Sequence, residues 1–248
     1  MNRHANPDYP FQFQMQDKPS SRFLIPVHNP GNTLRILLEH LTSLPDIALS
    51  EVIVIDDGSA DGTKEMLIRD FPEVTRLGAD GSLFWTGSMA LGMQYCLDHQ
   101  VPIIFWLNHD CRPLPGAAEK LRQAILSDAS VGCAAGWCRI AGYPEWPVNP
   151  GVLRNRDVGS LEPGEIQQVE GVNGNFVAFR AEAVRKVGLP DSRHFPHYGD
   201  GPYTLNIGRS GFTVVVVADA RADLDYEVER RLPPKWRIAL SRDSLWKW

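Results

Sequence analysis

Short apolar runs alternate with amphipathic segments through the first half of the chain. Three such runs are Phe23–Val27, Val52–Ile55 and Ile103–Leu107, and they are typical of strands buried on both faces of a parallel sheet. The segment after the first run predicts a helix with one apolar face, formed by Leu34, Leu37, Leu38, Leu41 and Leu44. The alternation predicts an α/β fold with a Rossmann-like, mainly parallel central sheet flanked by helices.

Less regular patterns predict the remaining elements. Further helices are predicted at Thr63–Arg69, from about Ser88 to Asp98, and at Pro115–Leu126, Ala181–Val187 and Tyr203–Gly208. Further strands are predicted at Val74–Leu77, Val131–Ala135 and Thr213–Val217, with a pair of strands at a sheet edge over Val169–Arg180. Residues 139–168, rich in proline, glycine and charge, predict a long excursion from the sheet.

Polar residues follow each of the three apolar runs directly. His28 and Asn29 follow the first run, Asp56 and Asp57 the second, and the segment 108–110 the third. Ligands of open parallel sheets bind beyond the carboxyl ends of the strands. These positions are therefore the first candidates for a binding site.

The carboxylates at the second and third strand ends have competing interpretations. Asp56 and Asp57 precede a glycine, which is typical of a turn. The alternative is that one of them accepts the imide N–H of a uracil or thymine ring. Asp110 fits a hard divalent cation that bridges two phosphates and needs only one or two protein carboxylates. Asn108 would then be placed to bind a ribose hydroxyl, whereas His109 is expected to point to the opposite face.

Two further segments carry candidate chemistry. The loop over residues 78–87 reads GADGSLFWTG, which is either a glycine-rich phosphate cradle or a platform on which Trp85 stacks against a sugar or base. It contains neither of the glycine patterns of dinucleotide-binding and P-loop proteins. The segment His194–Gly201 is rich in aromatic residues and glycine, and its Asp200 is either a turn residue or a general base.

Composition narrows the class of protein. The chain has 248 residues, of which 43% are hydrophobic, enough for one large domain. Its net charge of −5 argues against nucleic acid as a partner, and no apolar run approaches the roughly 18 residues of a membrane span. The polar N-terminus lacks the apolar region of a signal peptide, and the four cysteines of the chain form no paired motif. We therefore expect a cytoplasmic protein with reduced thiols.

The C-terminal residues 230–248 combine six basic residues with three tryptophans. Such a segment suits a helix that rests on anionic lipid headgroups at the inner face of the membrane. The alternative is a helix that packs its tryptophans against the domain or against a second copy of the chain. The expected organisation is thus a flexible arm over residues 1–21, one domain over 22–228 and a basic, tryptophan-rich helix over 229–248.

Taken together, these segments resemble glycosyltransferase family 2, whose members have the GT-A fold and invert the anomeric centre. The nucleotide-binding motif of that family is similar to EVIVIDDGSADGT, its metal motif to LNHDC, and its acceptor segment to GVNGNFVAFRAEAVRKVGLPDSRHFPHYGD. The likeness covers about residues 22–245, and WRIALSRDSLW resembles the family's trailing helix. The loop with Trp85 also resembles rhamnosyltransferases.

The resemblance implies a role for each candidate residue. Asp56 or Asp57 would hold the base of a UDP or dTDP sugar in a pocket lined by His28 and Asn29. At the third strand end, Asp110 would bind Mn²⁺ or Mg²⁺, with Asn108 beside it. Asp200 would deprotonate the acceptor.

The implied activity is a metal-dependent hexosyltransferase of cell-envelope polysaccharide biosynthesis, acting on a glycan or a lipid-linked acceptor. Two departures from the family pattern stand out: Gly199 replaces an acidic residue before the base, and Asp223 or Asp225 stands where a histidine is common. The alternatives are a non-catalytic sugar-nucleotide-binding subunit and a sugar-nucleotide pyrophosphorylase.

Overall fold

A computed structural model describes residues 20–148, 151–153, 156–158 and 161–225. Almost all of the predicted N-terminal arm and the whole predicted C-terminal helix lie outside these residues, so both stay predictions. Within the described ranges, no helix is long and apolar enough to cross a bilayer.

Twelve strands and six α-helices make up the described chain. The strands are β1 Ser21–Val27, β2 Val52–Asp57, β3 Thr75–Ala79, β4 Ile103–Leu107, β5 Cys111–Pro113, β6 Val131–Ile140, β7 Tyr143–Pro147, β8 Val152–Leu153, β9 Arg156–Asp157, β10 Ile166–Val169, β11 Phe176–Arg180 and β12 Thr213–Leu224. The helices are α1 Asn32–Thr42, α2 Thr63–Asp70, α3 Phe84–Asp98, α4 Ala117–Ser127, α5 Ala181–Val187 and α6 Asp200–Arg209.

The main sheet has the strand order β10-β12-β6-β11-β4-β1-β2-β3. In addition, β5 pairs with β12, and β7 pairs with β6. The half of the sheet that consists of β4, β1, β2 and β3 is parallel, as predicted. In this half, α1, α2 and α3 each connect two strands that run in the same direction. β12 also runs parallel to β6. The predicted α/β fold with a mainly parallel sheet is confirmed, although β11 runs antiparallel to both of its neighbours.

The prediction of a pair of strands at a sheet edge over Val169–Arg180 is wrong. The edge strand β10 reaches this range only with Val169, and β11 lies in the middle of the sheet, between β4 and β6. Four of the five residues of β11 are buried, because its continuous apolar sequence packs against helices on both faces.

The hydrophobic core has two layers, one on each face of the sheet. Alternate residues of β1 and β2 contribute to opposite layers, as the two-residue period of a strand requires. One layer contains the buried faces of α1, α2 and α4, and the other those of α3, α5 and α6. The leucine face predicted for α1 is buried in the first of these layers.

Two elements extend beyond their predicted ends. β12 continues to Leu224, because pairing with β6 and β5 extends it through a stretch in which polar and buried residues alternate. α3 begins at Phe84, four residues before its predicted start. Trp85 therefore lies in the first turn of a helix rather than in the predicted glycine-rich loop.

Candidate active site

The candidate site lies where three neighbouring parallel strands end. β2, β1 and β4 are adjacent in the sheet and point the same way, so the residues that follow them share one edge. The structure thus brings together at this edge the polar residues that the sequence singled out: His28, Asn29, Asp56, Asp57, Asn108 and Asp110.

The Asp57 carboxylate organises the start of α3. Its Oδ1 accepts a hydrogen bond from the amide of Gly81 at 2.8 Å, and its Oδ2 accepts those of Leu83 at 3.0 Å and Phe84 at 2.8 Å. The first amides of a helix have no acceptor within the helix. Asp57, supplied from a distant strand, takes that role, and this explains why α3 begins earlier than its own sequence predicts.

Asp56 is fully buried and paired with Arg76 on the neighbouring β3. Its Oδ2 accepts from Arg76 Nε at 2.9 Å and lies 2.8 Å from Nη2, while its Oδ1 accepts the amide of Ser59 at 3.0 Å. An ion pair of this kind needs both partners, because an unpaired buried charge is strongly destabilising. Both aspartates at this strand end therefore have structural partners in addition to the ligand role predicted for one of them.

His28 and Asn29 are exposed, and they connect the end of β1 to the loop after β2. The Asn29 amide donates to Ser59 Oγ at 2.9 Å, and the amide of Ala60 donates to Asn29 Oδ1 at 2.8 Å. His28 Nδ1 lies 2.5 Å from the Asp57 carbonyl oxygen. These contacts join the two loops next to Asp57, and both side chains remain exposed.

The Trp85 ring contacts two segments that carry candidate residues. Its Nε1 donates to Asn108 Oδ1 at 2.9 Å, and its ring packs edge-on against Trp106. The same edge of the ring lies so close to Gly174 that a Cβ built there would be 2.7 Å from Trp85 Cη2 and 3.1 Å from the Cβ of Asp200. The half-buried Trp85 therefore contacts both the turn after β4 and the glycine that lies against Asp200.

Asp200 begins α6 and lies against the loop before β11. Its Oδ2 accepts the amide of Gly174 at 2.8 Å. Burial raises the pKa of the Asp200 carboxyl above its usual value of 3.8, and the amides of Gly174 and Gly201 act in the opposite direction. A carboxylate with a raised proton affinity has the properties of a general base.

Asp110 occupies the turn after β4, beside the end of β12. Its carbonyl oxygen accepts the amide of Asp225 at 2.8 Å. Burial raises the pKa of the Asp110 carboxyl, the charge of Asp225 raises it further, and His109 lowers it. A cation bound here would offset the cost of keeping this carboxylate ionised.

The two acidic residues near the end of β12 each have a cationic partner. Asp223 accepts from Arg139 Nε at 2.7 Å, and Asp225 is paired with Arg112. Among the described residues, no three His, Cys, Asp or Glu side chains are grouped closely enough to hold a metal ion by themselves. The donor set fits a cation that takes one or two protein carboxylates and completes its shell with phosphate oxygens and water.

Comparison with protein families decides the identity of the domain. The sequence profile described as Glycosyl transferase family 2 matches residues 23–188. This range contains all the candidate site residues except Asp200. The chain belongs to glycosyltransferase family 2. No curated relative matches the sequence significantly.

Solved structures support the GT-A fold expected of the family. GalNAc-T7, described with UDP, GalNAc and Mn²⁺, has a TM-score of 0.67 at 17% identity, covering 85% of this chain and 44% of its own. The mannosyltransferase PcManGT from Pyrobaculum calidifontis, described with GDP-Man and Mn²⁺, scores 0.62 at 17% identity, covering 90% and 61%. TarS from S. aureus scores 0.61 at 12% identity, covering 85% and 37%. This chain thus spans less than two thirds of each of these proteins.

The structure explains one departure from the family 2 pattern. Gly199 has ordinary helical dihedral angles, so its backbone does not demand glycine. A Cβ at this position would instead lie 2.4 Å from Thr86 Cγ2 and 2.7 Å from Thr86 Oγ1. The Gly199 amide donates to that hydroxyl at 3.1 Å, so α3 carries a side chain that fills the space of the missing one.

We expect Gly199→Ala to destabilise this domain by about 1–3 kcal/mol, because the added methyl overlaps Thr86 in a packed region. Equilibrium urea unfolding measures the change. Gly199→Ala combined with Thr86→Ala should recover most of the lost free energy, since the two sites couple directly. Additive losses in the double variant would contradict the assignment of the overlap to Thr86.

Several residues that build this family 2 site are not indicated by the local sequence pattern. Arg76 contacts Asp56 across 20 residues of sequence, and Thr86 contacts Gly199 across 113. Asn175 contacts Asn108 across 67 residues. Local periodicity carries no signal for such distant pairs. Arg76 is the exception, because it is a charged residue within the strand β3. A charged residue there indicates an ion pair with an acidic residue at the buried end of a neighbouring strand.

Proposed function

We propose that this chain transfers a sugar from a nucleoside-diphosphate donor to a hydroxyl group of a glycan or lipid-linked acceptor, with inversion at the anomeric carbon. The observation that carries the proposal is the arrangement about Trp85, whose indole contacts Asn108 in the turn after β4 and also the glycine that lies against Asp200. A donor diphosphate at that turn and an acceptor hydroxyl at Asp200 would place the anomeric carbon between them.

Asp200 acts as the general base in this scheme. It takes the proton from the acceptor hydroxyl as the oxygen attacks the anomeric carbon, while the bond to the diphosphate breaks on the opposite face. One displacement inverts the centre, and no covalent bond forms between sugar and protein. The amide of Gly174 orients the carboxylate, and the burial that raises its pKa makes it a stronger acceptor of the proton.

Asp110 would hold a divalent metal, Mn²⁺ or Mg²⁺. When bound, the metal supplies positive charge to the leaving diphosphate as a Lewis acid. Asp225 is a further carboxylate whose charge acts on Asp110, and its ion pair with Arg112 would have to open before it binds a metal. Asn108 is engaged by Trp85 and Asn175, so we assign it the positioning of this turn and of the indole in addition to its predicted contact with the ribose.

The nucleotide base would bind above the end of β2. His28 and Asn29 offer exposed polar groups there, while Asp57 holds the loop that forms the floor. A carboxylate oxygen with one amide donor retains a lone pair for a second donor. Oδ1 of Asp57 and Oδ1 of Asp56 both meet that condition. We prefer Asp57 as the acceptor for a uracil or thymine imide, because Asp56 is fully buried and its other oxygen is paired with Arg76.

A thermal-shift screen tests the proposal directly. UDP, dTDP and GDP sugars are added to the full chain with Mn²⁺ or Mg²⁺, and the unfolding midpoint is recorded. A ligand at 100 times its Kd stabilises the native state by about 2.7 kcal/mol. We expect UDP or dTDP donors to raise the midpoint in the presence of metal. A screen in which no nucleotide sugar shifts the midpoint would refute the proposed donor class.

The charge around the first loop disfavours the pyrophosphorylase alternative. Such an enzyme needs basic groups beside the phosphates directly after the first strand. The first basic residue after the His28 loop is Arg35, and it is paired with Asp70 at the end of α2. The presence of both Asp110 and Asp200 likewise favours an active transferase over a non-catalytic subunit.

A further inference from the structure

Three aromatic side chains form an exposed row beside Asp200. The row consists of Phe84, His197 and Tyr198, and we name it the aromatic rim. The rings of Phe84 and His197 lie 4.6 Å apart at 60°, and those of His197 and Tyr198 lie 6.2 Å apart at 53°. Phe84 is 49% exposed and Tyr198 is 65% exposed. Among the side chains whose exposure the structure describes, these are the only two aromatic members of the large exposed hydrophobic set.

Phe84 is held at the rim at a conformational cost. Its φ of 54° lies in the left-handed region, which is unfavourable for a bulky side chain. The hydrogen bond from its amide to Asp57 maintains this conformation. The result is a phenyl ring that lies against His197 in solvent instead of in the core. Strain of this kind concentrates where a side chain serves a ligand.

The rim is fixed to the segment that carries the proposed base. The Thr86 amide donates to the carbonyl oxygen of Pro196 at 3.0 Å, and Thr86 Oγ1 accepts the amide of Gly199 at 3.1 Å. Tyr198 precedes Asp200 by two residues. A molecule lying on the Tyr198 ring would therefore be near the start of α6, where Asp200 lies.

We infer that the aromatic rim binds the acceptor by stacking Tyr198, supported by His197 and Phe84, against the apolar face of a pyranose ring. This inference rests on the proposed function, because it assigns the acceptor side of that site. A pyranose presents C–H groups on one face and hydroxyl groups around its edge. The exposed ring of Tyr198 matches the first, and Asp200 beside it matches a hydroxyl at the edge.

Direct binding of hexosides to the full chain tests the inference without any donor. Saturation-transfer NMR is recorded with methyl glucoside, methyl mannoside and methyl galactoside, and with glycerol as a polyol that has no ring. We expect saturation of the ring protons of at least one hexoside and none of glycerol. Tyr198→Ala should weaken hexoside binding by about five- to tenfold, and Tyr198→Phe should retain it within about twofold, because the ring is kept.

Tyr95→Ala is the matched control. Tyr95 also stacks on a histidine, His99, at 4.0 Å, but it lies near the opposite end of α3, about 16 Å from Phe84. Hexoside binding should be unchanged in this variant. Absence of hexoside saturation in the wild type, or equal loss in Tyr95→Ala and Tyr198→Ala, would overturn the inference.

Phe84→Gly separates a binding role from a structural one. Glycine adopts a φ of 54° without strain, so the unfolding midpoint should stay the same or rise while hexoside binding falls. A lower midpoint with unchanged hexoside binding would remove Phe84 from the rim.

The donor assays distinguish this inference from the proposed function. If nucleotide sugars fail to bind but Tyr198→Ala still loses hexosides, the transfer proposal fails and the rim stands. If transfer is observed and Tyr198→Ala leaves the KM of the acceptor unchanged, the rim fails and the transfer proposal stands. A rise in the KM of the donor instead would assign the rim to the nucleotide and overturn its acceptor role.

Discussion

Asp200→Asn is expected to lower turnover by about a hundredfold or more, as is usual when a general base is lost. Donor affinity should stay close to that of the wild type, because asparagine retains an oxygen that accepts the Gly174 amide and the fold around Trp85 is preserved. Turnover is measured as release of nucleoside diphosphate at saturating donor. Calorimetry on the same variant measures donor affinity.

The same variant should gain stability at neutral pH. Burial raises the pKa of Asp200 in the folded state, so the native protein binds a proton more tightly than the unfolded chain does. The wild type is therefore destabilised as pH rises from the unfolded pKa, near 3.8, through the folded pKa. Asparagine lacks this penalty. The excess stability of Asp200→Asn should be largest at neutral pH and should vanish below about pH 3.8.

Activity should follow the same ionisation. The base works only when deprotonated, so turnover should decline as pH falls through the raised pKa of Asp200. Asp191→Asn is the control, since Asp191 is an exposed residue of the preceding loop that is bonded to His194. Wild-type turnover in Asp200→Asn would remove this residue from the mechanism. Unchanged stability would contradict the cost of its burial.

Asp110→Ala is expected to abolish the metal-dependent part of donor binding. Among the described residues its carboxylate forms no ion pair, whereas Asp223 and Asp225 are each held by an arginine. Titration calorimetry with UDP, with and without Mn²⁺, measures the effect. In the wild type we expect the metal to strengthen binding by at least tenfold, about 1.4 kcal/mol, and in the variant we expect no such gain.

Two further variants make this test specific. Asp98→Ala removes an exposed carboxylate at the end of α3 and should leave the effect of metal unchanged. Asp225→Ala should reduce the metal effect only in part if Asp225 is a secondary ligand. If Asp110→Ala keeps the full metal effect and Asp225→Ala loses it, the metal assignment moves to Asp225.

The amino-acid sequence by itself determined the parallel half of the sheet and the place of the candidate site. Strands buried on both faces have to be apolar along their whole length, so β1, β2 and β4 are visible as continuous runs. Residues that follow such strands meet at one edge because the strands are parallel. The apolar runs therefore indicate the candidates at the three strand ends without knowledge of the strand order. These candidates are His28, Asn29, Asp56, Asp57, Asn108 and Asp110.

Only the tertiary structure decided how those residues are used. Asp56 and Asp57 read alike in sequence, yet one pairs with Arg76 and the other caps α3, because β3 and the loop after it lie next to β2. The central position of β11 was equally invisible, since its local pattern does not reveal its neighbours. Long-range contacts select among local structures that the sequence leaves nearly equal in energy. Gly199 shows the same principle, because the side chain that excludes a methyl group there is Thr86, 113 residues earlier.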